Sequence, residues 1–295
     1  MIKELKKRKC GKVIENIALK DYTTYKLKEK GTVLVEPENK EELIHLLAYI
    51  KENKLPYKII GGGSNLIFQR DYDGVLIRLN AFDDLKINDT KVQVGAGYPT
   101  LKLALKLSRM GYTGLEFATG IPGTIGGAIF NNAGAYGSDM GYIVESILVI
   151  TPELKIKRMY NRDLDFHYRT SFLKQHPDYI CLEANLVLKK GNKEEIMEII
   201  EDRKKRRLMS QPLEFPSAGS VFRNPNDVPA WKLIEDVGLK GYQVGGAKVS
   251  EKHANFIVTD GNASGKDIVE IIHTIQKKVK EKYQIDLILE QEIVE

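Results

Sequence analysis

The sequence predicts an α+β protein of roughly two domains' worth of chain, and three observations carry that expectation. Amphipathic helical stretches are interleaved with short apolar strands along all 295 residues, two glycine-rich loops fall in the first half, and 42% of the residues are hydrophobic. Such a chain can build sizeable cores, which excludes disorder as its default state. No stretch reaches the roughly 18 to 20 unbroken apolar residues needed to cross a bilayer. The amino terminus from Met1 to Lys12 is basic but lacks an apolar segment behind it, so a soluble, cytoplasmic protein is expected, with no membrane insertion.

The elements follow in order. Glu41 to Glu52 reads as an amphipathic helix through Leu43, Ile44, Leu47, Ala48 and Ile50, with Asn39 or a neighbour as its cap. Tyr57 to Ile60 is a short strand leading into Gly61-Gly62-Gly63-Ser64-Asn65, followed by apolar Leu66-Ile67-Phe68. Val75 to Leu79 and Lys91 to Ala96 are strands separated by a turn at Asn88-Asp89, and Leu101 to Met110 is a helix stopped by Gly111. Strands resume at Ile143 to Ile150, Lys155 to Met159 and Ile180 to Leu188. Lys193 to Leu208 has helical spacing through Ile196, Met197, Ile199 and Ile200, and Gln211 to Pro229 is a loop with four prolines. A long helix, Asp267 to Tyr283, runs through Ile268, Ile271, Ile272, Ile275 and Val279. The alternation from Ile285 to Val294 reads as a closing strand.

Charge and cysteine content narrow the function classes. Forty-five Lys and Arg against 40 Asp and Glu leave +5, enough to steer anionic ligands but short of the basic stripe of a dedicated nucleic-acid binder. Cys10 and Cys181 stand 171 positions apart, so both read as reduced thiols and no metal site is expected.

The two glycine-rich loops are the candidate ligand sites. Gly61 to Asn65, directly after a strand, can turn successive backbone N–H groups and a hydroxyl toward one anion, although a tight turn accounts for it equally well. It is neither a Walker loop nor the spaced-glycine dinucleotide fingerprint. Between Gly120 and Gly137, six of 18 residues are glycine, a density that a backbone lying against something bulky would require. Two such loops suit a long, flat cofactor such as FAD.

The loops around Gly61, Gly62, Gly63, Ser64 and Asn65 and around Gly120, Ile121, Pro122, Gly123, Thr124, Gly126 and Gly127 resemble the FAD-holding loops of the p-cresol methylhydroxylase and vanillyl-alcohol oxidase flavin fold. Further along, Tyr168-Arg169-Thr170-Ser171-Phe172, Pro216 to Pro225, Leu233-Ile234-Glu235, Gly238 to Gly241, Gly245 to Ser250, His253 to Phe256 and Leu289-Glu290-Gln291-Glu292 resemble the UDP-N-acetylenolpyruvoylglucosamine reductase family in its shorter branch. The resemblance covers nearly the whole chain in order.

It implies two FAD-binding subdomains, at 1–76 and 77–191, and a substrate-binding α+β domain at 192–295 whose last strand returns to the flavin. It also implies non-covalent FAD held by the loop residues above with Gly137, NADPH as co-substrate, and reduction of the enolpyruvyl ether of a UDP-sugar to UDP-N-acetylmuramate, a step of peptidoglycan precursor synthesis. Arg169 takes the family's arginine position, Ser220 its general acid and Glu292 its carboxylate. Tyr168, Asn224, Tyr242, Lys252 and His253 become candidate substrate contacts, although a structural role suits His253 as well. Within a strand Glu290 and Glu292 share a face, so periodicity alone leaves both open, and the family pattern favours Glu292.

Arg203-Lys204-Lys205-Arg206-Arg207 reads mainly as a solvated helix end, with one or two side chains available to a diphosphate. Two rival functions remain for the sequence. A flavin oxidase of the same fold would want a histidine anchor beside a glycine-rich loop, and none is present. A nucleic-acid binder using Lys3 to Lys9 and Arg203 to Arg207 would leave the glycine-rich loops unexplained.

Overall fold

The computed structural model describes residues 1–225 and 228–295, so positions 226–227 of the proline-rich loop lie outside the described residues. The chain divides into two compact units: 1–15, 33–62 and 74–205 form the first, and 16–32, 63–73 and 206–295 form the second.

The first unit holds two cores. Helix Lys40–Glu52 starts where Asn39 Oδ1 accepts from Glu42 N at 2.9 Å, as the cap reading expects. It buries Leu43, Leu46, Leu47, Tyr49 and Ile50 against Val33, Val35, Val75 and Ile77; Ile44 and Ala48 of the expected face are only half-buried. Strand Tyr57–Ile59 runs parallel to the strand carrying Val75 to Ile77 and delivers the chain to Gly61.

The second core lies on a five-stranded antiparallel sheet in the order Ile156–Tyr160, Val144–Ile150, Ile180–Val187, Lys91–Gly95, Leu85–Asn88. Asp89, at φ 50°, makes the turn expected at Asn88-Asp89, but the strand it follows, Leu85–Asn88, was not foreseen. Helix Thr100–Arg109 places Leu103, Ala104 and Leu107 in this core, and the short helix Ile125–Phe130 adds Ile125, Ala128 and Ile129. Each large apolar side chain buried in this way contributes about 1.5–3 kcal/mol of transfer free energy.

In the second unit, helix Gly265–Tyr283 is closed at its start by a reciprocal cap. Ser264 Oγ accepts from Asp267 N (3.2 Å), and the Asp267 carboxylate accepts from Ser264 N (2.8 Å). Ile268, Ile271, Ile272, Ile275 and Val279 are buried, as their spacing predicts, against Ala247, Val249 and Ile257. Those partners sit on a three-stranded antiparallel sheet, Gln243–Val244, Ala247–Val249 and Ile257–Thr259. Strand Leu66–Phe68 pairs in parallel with Glu292–Val294.

The closing segment departs from the sequence reading. Only Glu292–Val294 is strand; Ile285 to Gln291 is irregular except for a single bridge between Leu289 and Phe222. The cause is a bend at Glu290 and Gln291, whose backbone N–H groups converge on one acceptor, Val221 O, at 2.9 and 3.5 Å. Glu290 therefore precedes the strand, and the shared face expected for Glu290 and Glu292 does not exist. The helix Lys193–Ser210 likewise buries only Ile196 and Ile200 of its four spaced apolar residues, and Ile199 is exposed.

Candidate active site

The first loop packs closely on the second within the first unit. A side-chain carbon at Gly61 would lie 2.6 Å from Thr124 Oγ1, and one at Gly62 would lie 2.7 Å from Gly123 Cα. A larger residue is therefore excluded by backbone at Gly62, while at Gly61 it would have to displace the Thr124 hydroxyl. The second loop is pinned in turn, with Thr100 N donating to Gly123 O, Ile125 N to Tyr98 O and Gly126 N to Ala96 O at 2.8 to 3.0 Å. Ile121, Gly123 and Thr124 remain half-exposed and Pro122 exposed, so this braced backbone still faces outward.

The remaining loop residues divide by role. Gly127 is not required by protein packing, because a side-chain carbon there would meet only Thr124 Oγ1 at 3.6 Å. Glycine inside a helix costs about 1 kcal/mol relative to alanine, so bare backbone at that place fits a flat group laid against it. Gly137 is exposed at φ 75°, and a side-chain carbon there would meet nothing within 4 Å. Gly63, Ser64 and Asn65 belong to the second unit. There Asn65 Nδ2 donates to Glu290 O (3.1 Å), and Asn65 O accepts from Glu292 N (2.9 Å).

Arg169 sits at the corner of a tight hairpin in the first unit. His167 and Thr170 exchange both backbone hydrogen bonds at 3.1 Å, and Arg169 takes φ 57°, a conformation unfavourable for a side-chain-bearing residue. Three contacts hold it there: Asn132 Nδ2 donates to His167 O (2.8 Å), Lys174 Nζ to Arg169 O (3.4 Å) and Ser171 Oγ to Phe130 O (2.8 Å). The guanidinium lies 5.2 Å from the ring centre of Tyr168, which is itself exposed.

Ser220 lies in the second unit between two pinned peptides. Gln291 Nε2 donates to Ala218 O and Gly219 O, both at 3.1 Å, and Val221 N donates to Asn255 O at 2.9 Å. Asn255, buried, closes the next peptide by accepting from Phe222 N and donating to Phe222 O. Among the described residues the Ser220 hydroxyl itself makes no hydrogen bond, unlike an ordinary loop serine turned onto its own backbone.

Two family models match the chain: the C-terminal domain of UDP-N-acetylenolpyruvoylglucosamine reductase over residues 211–294, and an FAD binding domain over residues 32–159. The UDP-N-acetylenolpyruvoylglucosamine reductase of Bacillus subtilis (strain 168) is 43% identical over 296 residues, covering 100% of this chain and 98% of its own. The chain belongs to the UDP-N-acetylenolpyruvoylglucosamine reductase family. The reductase of the same name from Caldanaerobacter subterraneus is also 43% identical, covering 99% of this chain and 96% of its own. The crystal structure of the Thermus caldophilus UDP-N-acetylenolpyruvylglucosamine reductase has a TM-score of 0.82 at 34% identity, covering 96% of this chain and 99% of that one. The α+β fold expected from the resemblance is thereby established.

The other candidate contacts of this family member are partly engaged within the second unit. Asn224 Oδ1 accepts from Ala230 N (3.0 Å) at the start of helix Ala230–Asp236. Lys252 Nζ donates to Leu208 O (2.7 Å) and lies 3.7 Å from Glu214. His253 packs edge-on against Phe256 and Trp231, and its Nδ1 accepts from Asn255 N (3.3 Å). Burial holds its imidazole pKa below the usual value, so the ring is neutral near pH 7. Tyr242 is half-buried against the core of this unit. In the first unit the basic run is not wholly solvated, because Arg203 stacks over the Tyr136 ring at 4.5 Å.

Sequence reasoning missed Gln291, Asn255, Asn132 and Tyr25. Each is buried with a side-chain polar group whose partners include one at least 33 positions away, backbone for Gln291, Asn255 and Asn132 and the Gln291 amide for Tyr25, so no local pattern exposes the pairing.

Proposed function

We propose that this chain reduces the enolpyruvyl ether of UDP-N-acetylglucosamine enolpyruvate to UDP-N-acetylmuramate, a step of peptidoglycan precursor synthesis, with non-covalent FAD as cofactor and NADPH as reductant. The observation that carries this reading is Ser220: its backbone is tied on both sides while its hydroxyl is uncommitted among the described residues, in a chain that aligns end to end with reductases of this name. The outward-facing stretch Ile121 to Thr124 and Gly127, with Gly61 and Gly62 packed against it, would hold the cofactor. When bound, FAD supplies the two-electron relay between NADPH and the alkene.

The chain's own residues manage the charge. Reduction at the terminal alkene carbon places negative charge on the neighbouring carbon and its carboxylate. Arg169 offers that carboxylate a planar, permanently charged fork, and its strained backbone is of the kind that persists where function requires it. Ser220 Oγ delivers the proton to carbon, and Glu292 polarises the reacting group. Tyr168, Asn224, Tyr242, Lys252 and His253 line the nucleotide-sugar. NADPH and the sugar nucleotide take turns in one site, giving ping-pong kinetics, and the enzyme works in the cytoplasm.

Anaerobic reduction of the purified flavoprotein with NADPH, followed by mixing with the enolpyruvyl sugar, tests the reading. Recovery of the oxidised flavin spectrum with one lactyl ether formed per flavin is expected. A flavin that stays reduced would overturn it.

A further inference from the structure

Gln291 stands between two residues of the proposed chemistry and is itself turned inward, only 4% exposed. Its amide is fully used. The two N–H bonds of Nε2 reach Ala218 O and Gly219 O, both at 3.1 Å, and Oε1 accepts from the hydroxyl of Tyr25 at 2.9 Å. Tyr25 is fully buried, and burial raises its pKa far above neutrality, so it remains a donor. The two carbonyls, which can only accept, decide which way the amide points, and the Tyr25 hydroxyl donates to the oxygen left at the other end. Rotated by half a turn, the amide would set its oxygen against two carbonyl oxygens.

The carbonyl of Gly219 belongs to the same peptide plane as the N–H of Ser220, so holding that carbonyl sets the direction in which the Ser220 side chain leaves the backbone. Gly219 itself is at φ 76°, a conformation that needs an external hold to be unique. On its other side Gln291 is bracketed by Asn65, which donates to Glu290 O and accepts from Glu292 N. One residue thus joins the loop of Ser220 to the strand of Glu292.

We propose that Gln291, anchored by Tyr25, is the positioning residue that holds the Ser220 hydroxyl and the Glu292 strand in fixed relation for proton delivery. The inference rests on the reading of Ser220 as proton donor. Gln291 touches no reacting atom; it acts through the peptides on either side of Gly219.

The test uses the flavin-loaded full chain and separates the two half-reactions. In Gln291→Leu, similar in volume but without hydrogen-bonding groups, NADPH should reduce the flavin within about twofold of the wild-type rate. Reoxidation by the enolpyruvyl sugar should slow on the order of 10-fold to 100-fold, the range expected when a reacting group is displaced by a fraction of an ångström to 1 Å. The solvent deuterium isotope effect on reoxidation should rise, because proton delivery becomes limiting. Tyr25→Phe keeps the packing and should shift reoxidation in the same direction by a smaller factor, which covers the case in which Gln291→Leu fails to fold.

Amide hydrogen exchange across residues 218–221, measured without substrate, gives a readout that does not depend on the sugar being the true substrate. Faster exchange there in both variants supports the hold. Unchanged exchange and an unchanged ratio of reoxidation to reduction overturn it, as does equal slowing of both half-reactions. Failure of the wild type to be reoxidised by the enolpyruvyl sugar would instead overturn the functional reading and leave the exchange result to decide the structural one.

Discussion

Asn132 Nδ2 donates to the carbonyl of His167 at 2.8 Å, and with the bond from Ser171 Oγ to Phe130 O it lets the second glycine-rich segment brace the hairpin that carries Arg169. The same side chain accepts from Gly141 N at 2.9 Å, and the residue is 1% exposed. An aspartate here would keep the acceptor but turn a carboxylate oxygen toward the His167 carbonyl. We expect Asn132→Asp to lose roughly 1–3 kcal/mol of stability, read from the denaturant midpoint at constant slope. A midpoint equal to that of the wild type would show that the brace is not needed.

Replacing Ser220 with alanine should divide the reaction. The hydroxyl has no hydrogen bond among the described residues, so stability should change by less than about 0.5 kcal/mol. NADPH should still bleach the flavin, while reoxidation by the enolpyruvyl sugar should fall by about 10²- to 10⁴-fold, the usual contribution of a positioned general acid. Stopped-flow absorbance follows both steps, and wild-type reoxidation in the variant would remove Ser220 from the chemistry.

How much of this was legible beforehand depends on whether the information was local. The cap at Asn39 and the buried stripe of helix Gly265–Tyr283 follow from residues within a few turns of one another, so periodicity finds them. Gly61 and Gly62 were visible as an unusual cluster, but their reason, the close approach of Gly123 and Thr124, lies about sixty positions away. Gln291 and Tyr25 are separated by 266 positions, and no local pattern pairs them. The strand expected from Ile285 was over-read because alternation reports where side chains face, whereas a strand also needs a partner edge. Here Val221 O draws two successive N–H groups and ends the regular pairing.

Acid should weaken the cap of helix Gly265–Tyr283. Partial burial pushes the Asp267 carboxyl upward, but hydrogen bonds from Ser264 and Gly246 outweigh it and hold the pKa below the ordinary carboxylate value. A depressed folded-state pKa means stability that is present above the unfolded value and lost as pH falls through the folded one. Asp267→Asn should therefore be less stable than wild type near pH 7, and the gap should close as acid carries the pH down through the depressed pKa of the folded carboxyl. Ser264→Ala should cost about 0.5–2 kcal/mol. Melting curves across pH test both, and a gap in Asp267→Asn that persists undiminished into acid would exclude the linkage.

Cys10 and Cys181 should be silent toward thiol reagents in the native protein. Both are buried, and desolvation raises both pKa values, that of Cys181 to about 12. Titration with a chromogenic disulfide should find two thiols in denaturant and react only slowly with the native protein. Two fast equivalents without denaturant would contradict the burial.

Arg169 sets fold stability against chemistry in a single residue. A non-glycine residue at φ 57° carries about 1–2 kcal/mol of backbone strain, partly offset by the greater freedom that glycine would bring to the unfolded chain. Arg169→Gly should therefore hold or raise stability, by up to about 1 kcal/mol, while removing the fork proposed to bind the substrate carboxylate. Reduction of the enolpyruvyl sugar should fall by about 10²-fold or more, comparable to losing one donor from a charge-stabilising site. Arg169→Lys separates the two effects, because it keeps both the strain and the positive charge but loses the planar pair of donors. It should be as stable as the wild type and still severely impaired. If the lysine variant turned over normally, charge alone would suffice; if the glycine variant were strongly destabilised, the hairpin would depend on the guanidinium and the strain at Arg169 would need another cause.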